Sequence, residues 1–482
     1  MRTPYLQVEF PSFSELPEPL LAFGRRRGSR GMEGHPLVGM RDHGPFTLGH
    51  FDAYVNTVRF ALVAPPDELQ VAKRLVSELR AKHVPTERRD YLIEYPGFRA
   101  IFGVDIAATT AECNVATPAD LEDRLDGASD PRQVLTGALS EAIELAARRR
   151  EGFDVLLIRL PERWSEWFKG TGEGDDFDLH NFIKVVAAGK GIATQIIRDQ
   201  ALQYKDRCSV AWRLGIAAYT KAGGVPWKLA DTTPNCMFVG IGYALRHTGK
   251  KRFAIGVAQV FDEKGTGLQF VGSTAAEDDG TRIDGTNPYL TRPQMQKLLA
   301  RATALYQRQH SGQLPRRVVV HKSTPWKKLE TEGACDALSR IADVELIQIQ
   351  DDTLWRGVRG TGQGAVGQAD SWPLHRGTML HLSGSELLLW TQGNVPTVSR
   401  SGGNFYKEGR GVPHPVVLKR WAGHGRAEEV AADVLALSKM DWNNDGLYNR
   451  GPVTLAYAAQ LARVMKLLSR VPSEPLPFRL FM

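Results

Sequence analysis

Residues 178–195 read DLHNFIKVVAAGKGIATQ. His180 and Lys184 stand four apart on a helical pattern, and side chains at that spacing lie one above the other. Leu179, Phe182, Ile183 and Val186 form an apolar stripe on another side, so the polar pair is expected to point away from the packing. Asp176 or Asp178 suits the helix cap, and Gly189 suits its end. Gln195 follows in a strand-like run, GIATQII. A lysine supplies a point charge, a histidine donates or stacks, and a glutamine amide donates. Together these groups suit a phosphate. Taken alone, they also describe an ordinary amphipathic helix with a solvated face.

Upstream, VRFALVA (58–64), FRAIFGV (98–104) and FDVLLIRLP (153–161) read as strands. Helical stretches separate them: PPDELQVAKRLVSELR, opened by Pro and Asp, and a helix ending in LAARRR. Strands alternating with helices imply parallel βαβ units, hence a Rossmann-like three-layer domain over 55–205. The stretch 1–54, rich in Gly, Pro and Arg, is expected to be a connecting arm with little regular structure. From 206 to 482 the order changes. A helix near 208–221 precedes MFVGIGYALR, RFAIGVAQVFD and TGLQFVGS, three strands in an antiparallel meander. A helix near 293–309, RRVVVHK (316–322), another helix and VELIQIQ (344–350) follow. That is the order of an RNase H-like fold. The fold class expected is therefore α/β in both domains.

A chain of 482 residues is too long for one ordinary core. With 42% hydrophobic and 24% charged residues it is globular rather than disordered. The net charge of +7 favours an anionic partner only weakly at this length. Cys113, Cys208, Cys236 and Cys335 form no CxxC pair, which excludes a zinc ribbon and a disulfide framework. Reduced thiols, no signal-peptide pattern and no long apolar span point to the cytoplasm and away from membranes.

Further along, AAYTKAGGVPWKLAD (217–231) adds Lys221 at a helix end, before a glycine pair and Pro-Trp. Here the sequence resembles the Argonaute family, in particular its MID and PIWI domains. That family holds a guide strand's 5′-phosphate with an aromatic residue or histidine, a lysine four later, a glutamine, and a second lysine. His180, Lys184, Gln195 and Lys221 match that pattern. FVGIGYA, RRVVVHKS, PLHRGTMLHLSGSELLLWTQGNVPT and GPVTLAYAAQLA resemble recurring PIWI segments in the right order, so the resemblance runs from about residue 55 to the end. It implies a MID domain at 55–205 and a PIWI domain at 206–482, with too little chain ahead for N and PAZ domains. A short prokaryotic Argonaute is the expectation, and a partner bearing an APAZ domain fused to a TIR, Sir2 or nuclease effector is implied by it. The resemblance also implies a guide RNA with a 5′-phosphate, a complementary single-stranded DNA target, and a role in defence against plasmids or phages. Some relatives place a metal-binding side chain where this chain has Ala217. The apolar ending LPFRLFM is compatible with a buried tail whose Met482 carboxylate helps hold a Mg2+ ion against the phosphate.

RNase H-type cleavage uses two metal ions, and hard divalent ions need clustered carboxylates. In active relatives an Asp follows Gly-Ile on the first strand; VGIGYA has Gly242 there. HKST puts Ser323, between Lys322 and Thr324, where an Arg-Asp-Gly-like triplet is expected. The last ligand aligns with Ala459 in AYAAQLA. The chain is therefore expected not to cut. Asp351 and Asp352, or Asp441 and Asp445, are the carboxylates left for an unorthodox metal site, which would make the chain a guided endonuclease. A guide-independent nucleic-acid-binding protein is a third reading. Gly362, Gly364 and Gly367 spell GxGxxG without the strand and helix a dinucleotide site requires, and His321 with Ser323 lacks a nucleophile elbow.

Overall fold

The computed structural model describes residues 13–26, 28–87, 91–109, 111–170, 177–248, 251–276, 281–285, 287–358, 360–361, 368–369, 373–396, 411–443, 446, 448–467 and 476–482. Strands Asp105–Ala108, Thr57–Ala64, Val155–Arg159 and Ala193–Ile197 lie side by side in that order, all parallel. Alternate residues feed opposite layers. Ala61, Val63, Leu156 and Ile158 pack against helices Pro131–Ala147 and Leu179–Ala188. Phe60, Leu62, Val155 and Leu157 pack against helices Leu69–Glu78 and Arg207–Lys221. Such double-sided burial is why VLLIR is apolar along its whole length apart from Arg159. This first unit is the expected Rossmann-like three-layer domain.

Two local expectations differ. The run FRAIFGV, read as a strand, is a helix over Phe98–Phe102, and the strand follows at Asp105–Ala108. Short apolar runs do not distinguish the two, and here the flanking glycines decide. Gly97 and Gly103 both take positive φ (103° and 78°), and the Gly103 N–H returns to the Arg99 carbonyl as a left-handed cap. The Arg207–Lys221 helix, grouped with the second domain in the sequence, packs on the first. Its Trp212 indole donates to the Ile93 carbonyl at 2.9 Å, and Arg207 pairs with Glu78 at 2.6 Å.

The second unit is built on a ten-stranded sheet. Cys236–Thr248, Lys251–Phe261 and Gly267–Ala276 form the antiparallel meander. Cys236–Thr248 then pairs in parallel with Arg317–Lys322, which pairs in parallel with Asp343–Gln350. This is the RNase H-like order. Helices Arg292–Gln309 and Lys328–Ala337 cover one face. On the other, the C-terminal helix Val453–Lys466 rests directly on the Cys236–Thr248 strand. Gly240 and Gly242 permit that contact: an added Cβ would lie 2.0 Å from the Thr454 carbonyl oxygen and 2.4 Å from that of Ala458. One apolar core runs through both units, from Trp212 and Tyr219 to Phe261 and Tyr457.

Where they are described, residues 13–26 and 28–50 carry more regular structure than the connecting arm their composition suggests. Phe13–Glu15 adds a strand to the edge of the large sheet beside Thr378–His381. Leu21–Ala22 pairs with both Met32–Glu33 and Lys228–Leu229, and Pro36–His43 is a helix capped by the His35 ring. What composition misses is a single charge. Glu18 is buried between Arg376 (2.9 Å) and Lys439 (2.6 Å). Burial pushes its carboxyl up, but the two cations more than offset that and hold it below the usual range. Removing one member of such a group leaves uncompensated buried charge. Glu18→Ala is therefore expected to cost about 3–5 kcal/mol, read as a lowered denaturant midpoint, whereas an unchanged midpoint would mean the segment is merely draped on the surface.

Candidate anion-binding site

Asp178 caps the Leu179–Ala188 helix by accepting from the Asn181 N–H at 3.1 Å; Asp176 lies outside the described residues. Gly189 closes the helix in an ordinary right-handed conformation, and the positive φ comes at Gly191. The helix presents His180 and Lys184, the adjoining strand presents Gln195, and Lys221 ends the Arg207–Lys221 helix. All four line one cavity of about 330 Å³, and Met482 lines it as well.

The polar pair does not face solvent as the helical pattern suggests. Lys184 is only 4% exposed, because the second unit covers this face of the helix. Its ammonium donates to the Phe481 carbonyl at 2.9 Å, which also accepts from the Gln460 amide at 2.6 Å. Lys221 is equally buried and donates to Gln195 Oε1 at 2.6 Å. The other end of that amide donates to the Ile196 carbonyl. Among the described residues, no Asp or Glu side chain forms an ion pair with either lysine.

Electrostatics follow from that geometry. Burial, reinforced by Lys184, Lys221 and Arg198, pushes the His180 ring down to about 3, so it is neutral at any physiological pH. Burial also takes Lys184 down to about 8, with Arg463 adding to the effect and Asp178 opposing it. Lys221 is pushed well below the usual lysine range by burial and by Lys184. Two desolvated ammoniums with no ion-paired acidic side chain among the described residues form a site that an added anion would stabilise.

Thr194, Arg213 and Asn443 line the same cavity and were not singled out in the sequence. Arg213 had a signal, since 213, 217 and 221 recur at helical spacing. Thr194, whose buried hydroxyl has no described partner, and Asn443 had none. Ala217, where some relatives carry a metal-binding side chain, also lines it.

Gly242, Ser323 and Ala459 converge elsewhere. The register pairs Ile241 with Lys322, putting Ser323 alongside Gly242, and a Cβ on Gly242 would lie 2.9 Å from the Ala459 nitrogen. Lys322 is fully buried, paired with Glu330 at 2.5 Å. His321 is buried against Thr454 at 2.9 Å, while Ser323 is exposed, so these two form no catalytic pair. Asp351 and Asp352 are exposed. Asp441 is taken up by its own loop, accepting from Asn443 N–H, Asn449 and Tyr457. Asp445 and the glycines Gly362, Gly364 and Gly367 lie outside the described residues. Among the described residues no group of three or more His, Cys, Asp or Glu could hold a metal ion, and no helix is long and apolar enough to cross a membrane.

No family sequence model and no curated protein matches the chain. Solved structures do. Clostridium butyricum Argonaute, bound to a guide DNA and a 19-mer target DNA, matches 98% of this chain with a TM-score of 0.64 at 14% identity. The chain has the Argonaute fold. Drosophila Piwi matches 97% of it (TM-score 0.60, 14% identity), as does A. aeolicus Argonaute (0.60, 13%). Identity this low establishes the fold alone. The matches cover 54%, 56% and 55% of those chains respectively, so this sequence spans little more than half of their length. Within the Argonaute fold, the three-layer and RNase H-like units meet at the lysine-lined cavity.

Proton linkage gives this site a test of its own. Burial lowers the Lys184 pKa, and an anion bound beside it would raise it, so binding takes up a proton. Affinity for a phosphomonoester should be highest between about pH 6, the second phosphate pKa, and about pH 8, where Lys184 loses its proton. It should then fall towards pH 10. Titration calorimetry with a 5′-phosphorylated oligonucleotide checks this, and a flat profile from pH 7 to pH 9.5 would remove Lys184 from the site.

Proposed function

We propose that this chain is a guide-strand-binding subunit that recognises complementary nucleic acid without cutting it. The observation carrying this reading is the gathering of His180, Lys184, Gln195 and Lys221 on one cavity within an Argonaute fold. Desolvated lysines favour a compact, multiply charged ligand, and a 5′-terminal phosphate is one. Neutral His180 then donates or stacks without adding charge. Base pairing supplies sequence specificity while the protein holds the strand's end, the division of labour of nucleic-acid-guided effectors. The guide is proposed to be RNA and the target single-stranded DNA, by family resemblance.

Magnesium belongs to the same proposal. Mg2+ is commonly held by one or two carboxylates together with substrate phosphates and water. Met482 is buried at the cavity, and the carboxylate that the family resemblance implies there would hold the ion together with the guide phosphate. When bound there, the ion would neutralise charge between carboxylate and phosphate.

Absence of cleavage is proposed from Gly242, Ser323 and Ala459, which offer no carboxylate to a hard metal ion. The close-packed Ala458 carbonyl supports it, since position 242 has no room for a side chain. As a short Argonaute, the chain would act in the cytoplasm with an APAZ-bearing effector protein, which target recognition would switch on in defence against plasmids or phages.

Two measurements test the reading. Wild type should prefer a 5′-phosphorylated guide to its 5′-hydroxyl counterpart, and Lys184→Ala or Lys221→Ala should abolish most of that preference. A hydrogen bond to a charged group contributes roughly 1.5–3 kcal/mol, so each lysine variant should bind the phosphorylated guide about 10- to 150-fold more weakly. Equal wild-type affinity for both forms would refute guide-end binding. Separately, Gly242→Asp should restore no cleavage with magnesium or manganese and should destabilise the fold by about 1–3 kcal/mol through overpacking. Guide-dependent cutting by wild type that disappears on Asp351→Asn would instead support a nuclease.

A further inference from the structure

Every side chain assigned to the anion so far comes from the first unit, yet a compact anion needs donors on more than one side. The second unit adds Asn443 to the cavity lining, from the loop after Lys439. Asn443 is half-buried, and its carboxamide makes no hydrogen bond to a described residue. Its backbone, by contrast, is fixed. The Asn443 N–H donates to Asp441 Oδ1 at 3.0 Å, and Asp441 is gripped by Tyr457 Oη at 3.0 Å and by Asn449 Nδ2 at 2.6 Å. Trp442 N–H returns to Tyr457 Oη at 3.2 Å, so one phenol on the C-terminal helix holds both residues before Asn443. A rigid backbone carrying an unused amide at the mouth of a cationic cavity is how a neutral donor is preorganised for a ligand.

We infer that Asn443 is a binding residue for the guide's 5′-phosphate, contributed by the second unit and positioned by the Asp441–Tyr457 clamp. This rests on the guide-end reading above. Phosphate binding then bridges the two units, because Lys184, Gln195 and Lys221 come from the first and Asn443 from the second. A neutral amide suits this place better than a further cation, since it donates without adding to the positive charge of Lys184, Lys221 and Arg213.

The test uses the full chain with one oligonucleotide sequence carrying either a 5′-phosphate or a 5′-hydroxyl. Asn443→Ala should weaken binding of the phosphorylated strand about tenfold or more and leave the hydroxyl strand unchanged. Asn443→Asp, nearly the same shape, should lose more on the phosphorylated strand because it faces the anion with like charge. Tyr457→Phe, which releases Asp441, should give a smaller loss with the same selectivity for the phosphate. If wild type prefers the phosphate but both Asn443 variants keep that preference, the inference fails while the guide-end reading stands. Equal losses on both strands would mark a merely structural residue and also overturn it. Wild-type indifference to the phosphate would overturn both.

Discussion

The contact between the C-terminal helix and the glycine-notched central strand sets much of the molecule's geometry. Two glycines two residues apart share one face of a strand, and helix carbonyls sit where their side chains would be. The helix therefore lies at a depth that side chains on the strand would not allow. From that depth its residues reach outward in three directions. Thr454 meets buried His321, Tyr457 holds the Asp441 loop, and Gln460 holds the Phe481 carbonyl. The last two contacts hold the chain beside Asn443 and Met482, the second unit's residues in the wall of the cavity. Packing at Gly240 and Gly242 thus bears, through the helix it seats, on the cavity between the two units.

This arrangement accounts for lysines in a setting that ordinarily rejects them. Burying an unpaired ammonium is costly, and proteins usually pair it or let it lose its proton. Lys439 follows the first course, with Glu18 beside it. Among the described residues, Lys184 and Lys221 donate to neutral oxygens, the Phe481 carbonyl and the Gln195 amide. The contrast lies within one chain, under one solvent. Where charge is structural it is neutralised internally; where it faces the cavity between the units it is left in want of an anion. That contrast is the physical basis of the proposed anion site.

Much of the architecture was legible because long periodic segments repeat the same physical instruction. VLLIR and RVVVHK each announce buried parallel strands, and the alternation of helix and strand fixes the layers. The short run FRAIF was not legible, since five apolar-rich residues satisfy either period and only the flanking glycine conformations separate them. The amino-terminal segment misled for another reason. Its glycines and arginines read as solvated chain, while its order comes from Glu18, a residue whose partners lie more than 300 positions away. Of the cavity, the residues on one helix and its neighbours could be found by spacing. Their burial could not, because the surface that covers them is folded from the far end of the chain.

That last point bears on how the two units depend on each other. Had the Leu179–Ala188 helix kept its polar face in water, Lys184 would be an ordinary surface lysine, its charge screened and its contacts weak. Docking of the C-terminal turn removes that water and turns the same side chain into a group whose charge must be met within the cavity. The second unit thus contributes even where it touches no ligand, by lowering the local dielectric and so strengthening every interaction made there. Sequence motifs can be carried by one unit; the electrostatic character of the site belongs to both. The shared core through Trp212, Tyr219, Phe261 and Tyr457 is what holds them in that relation.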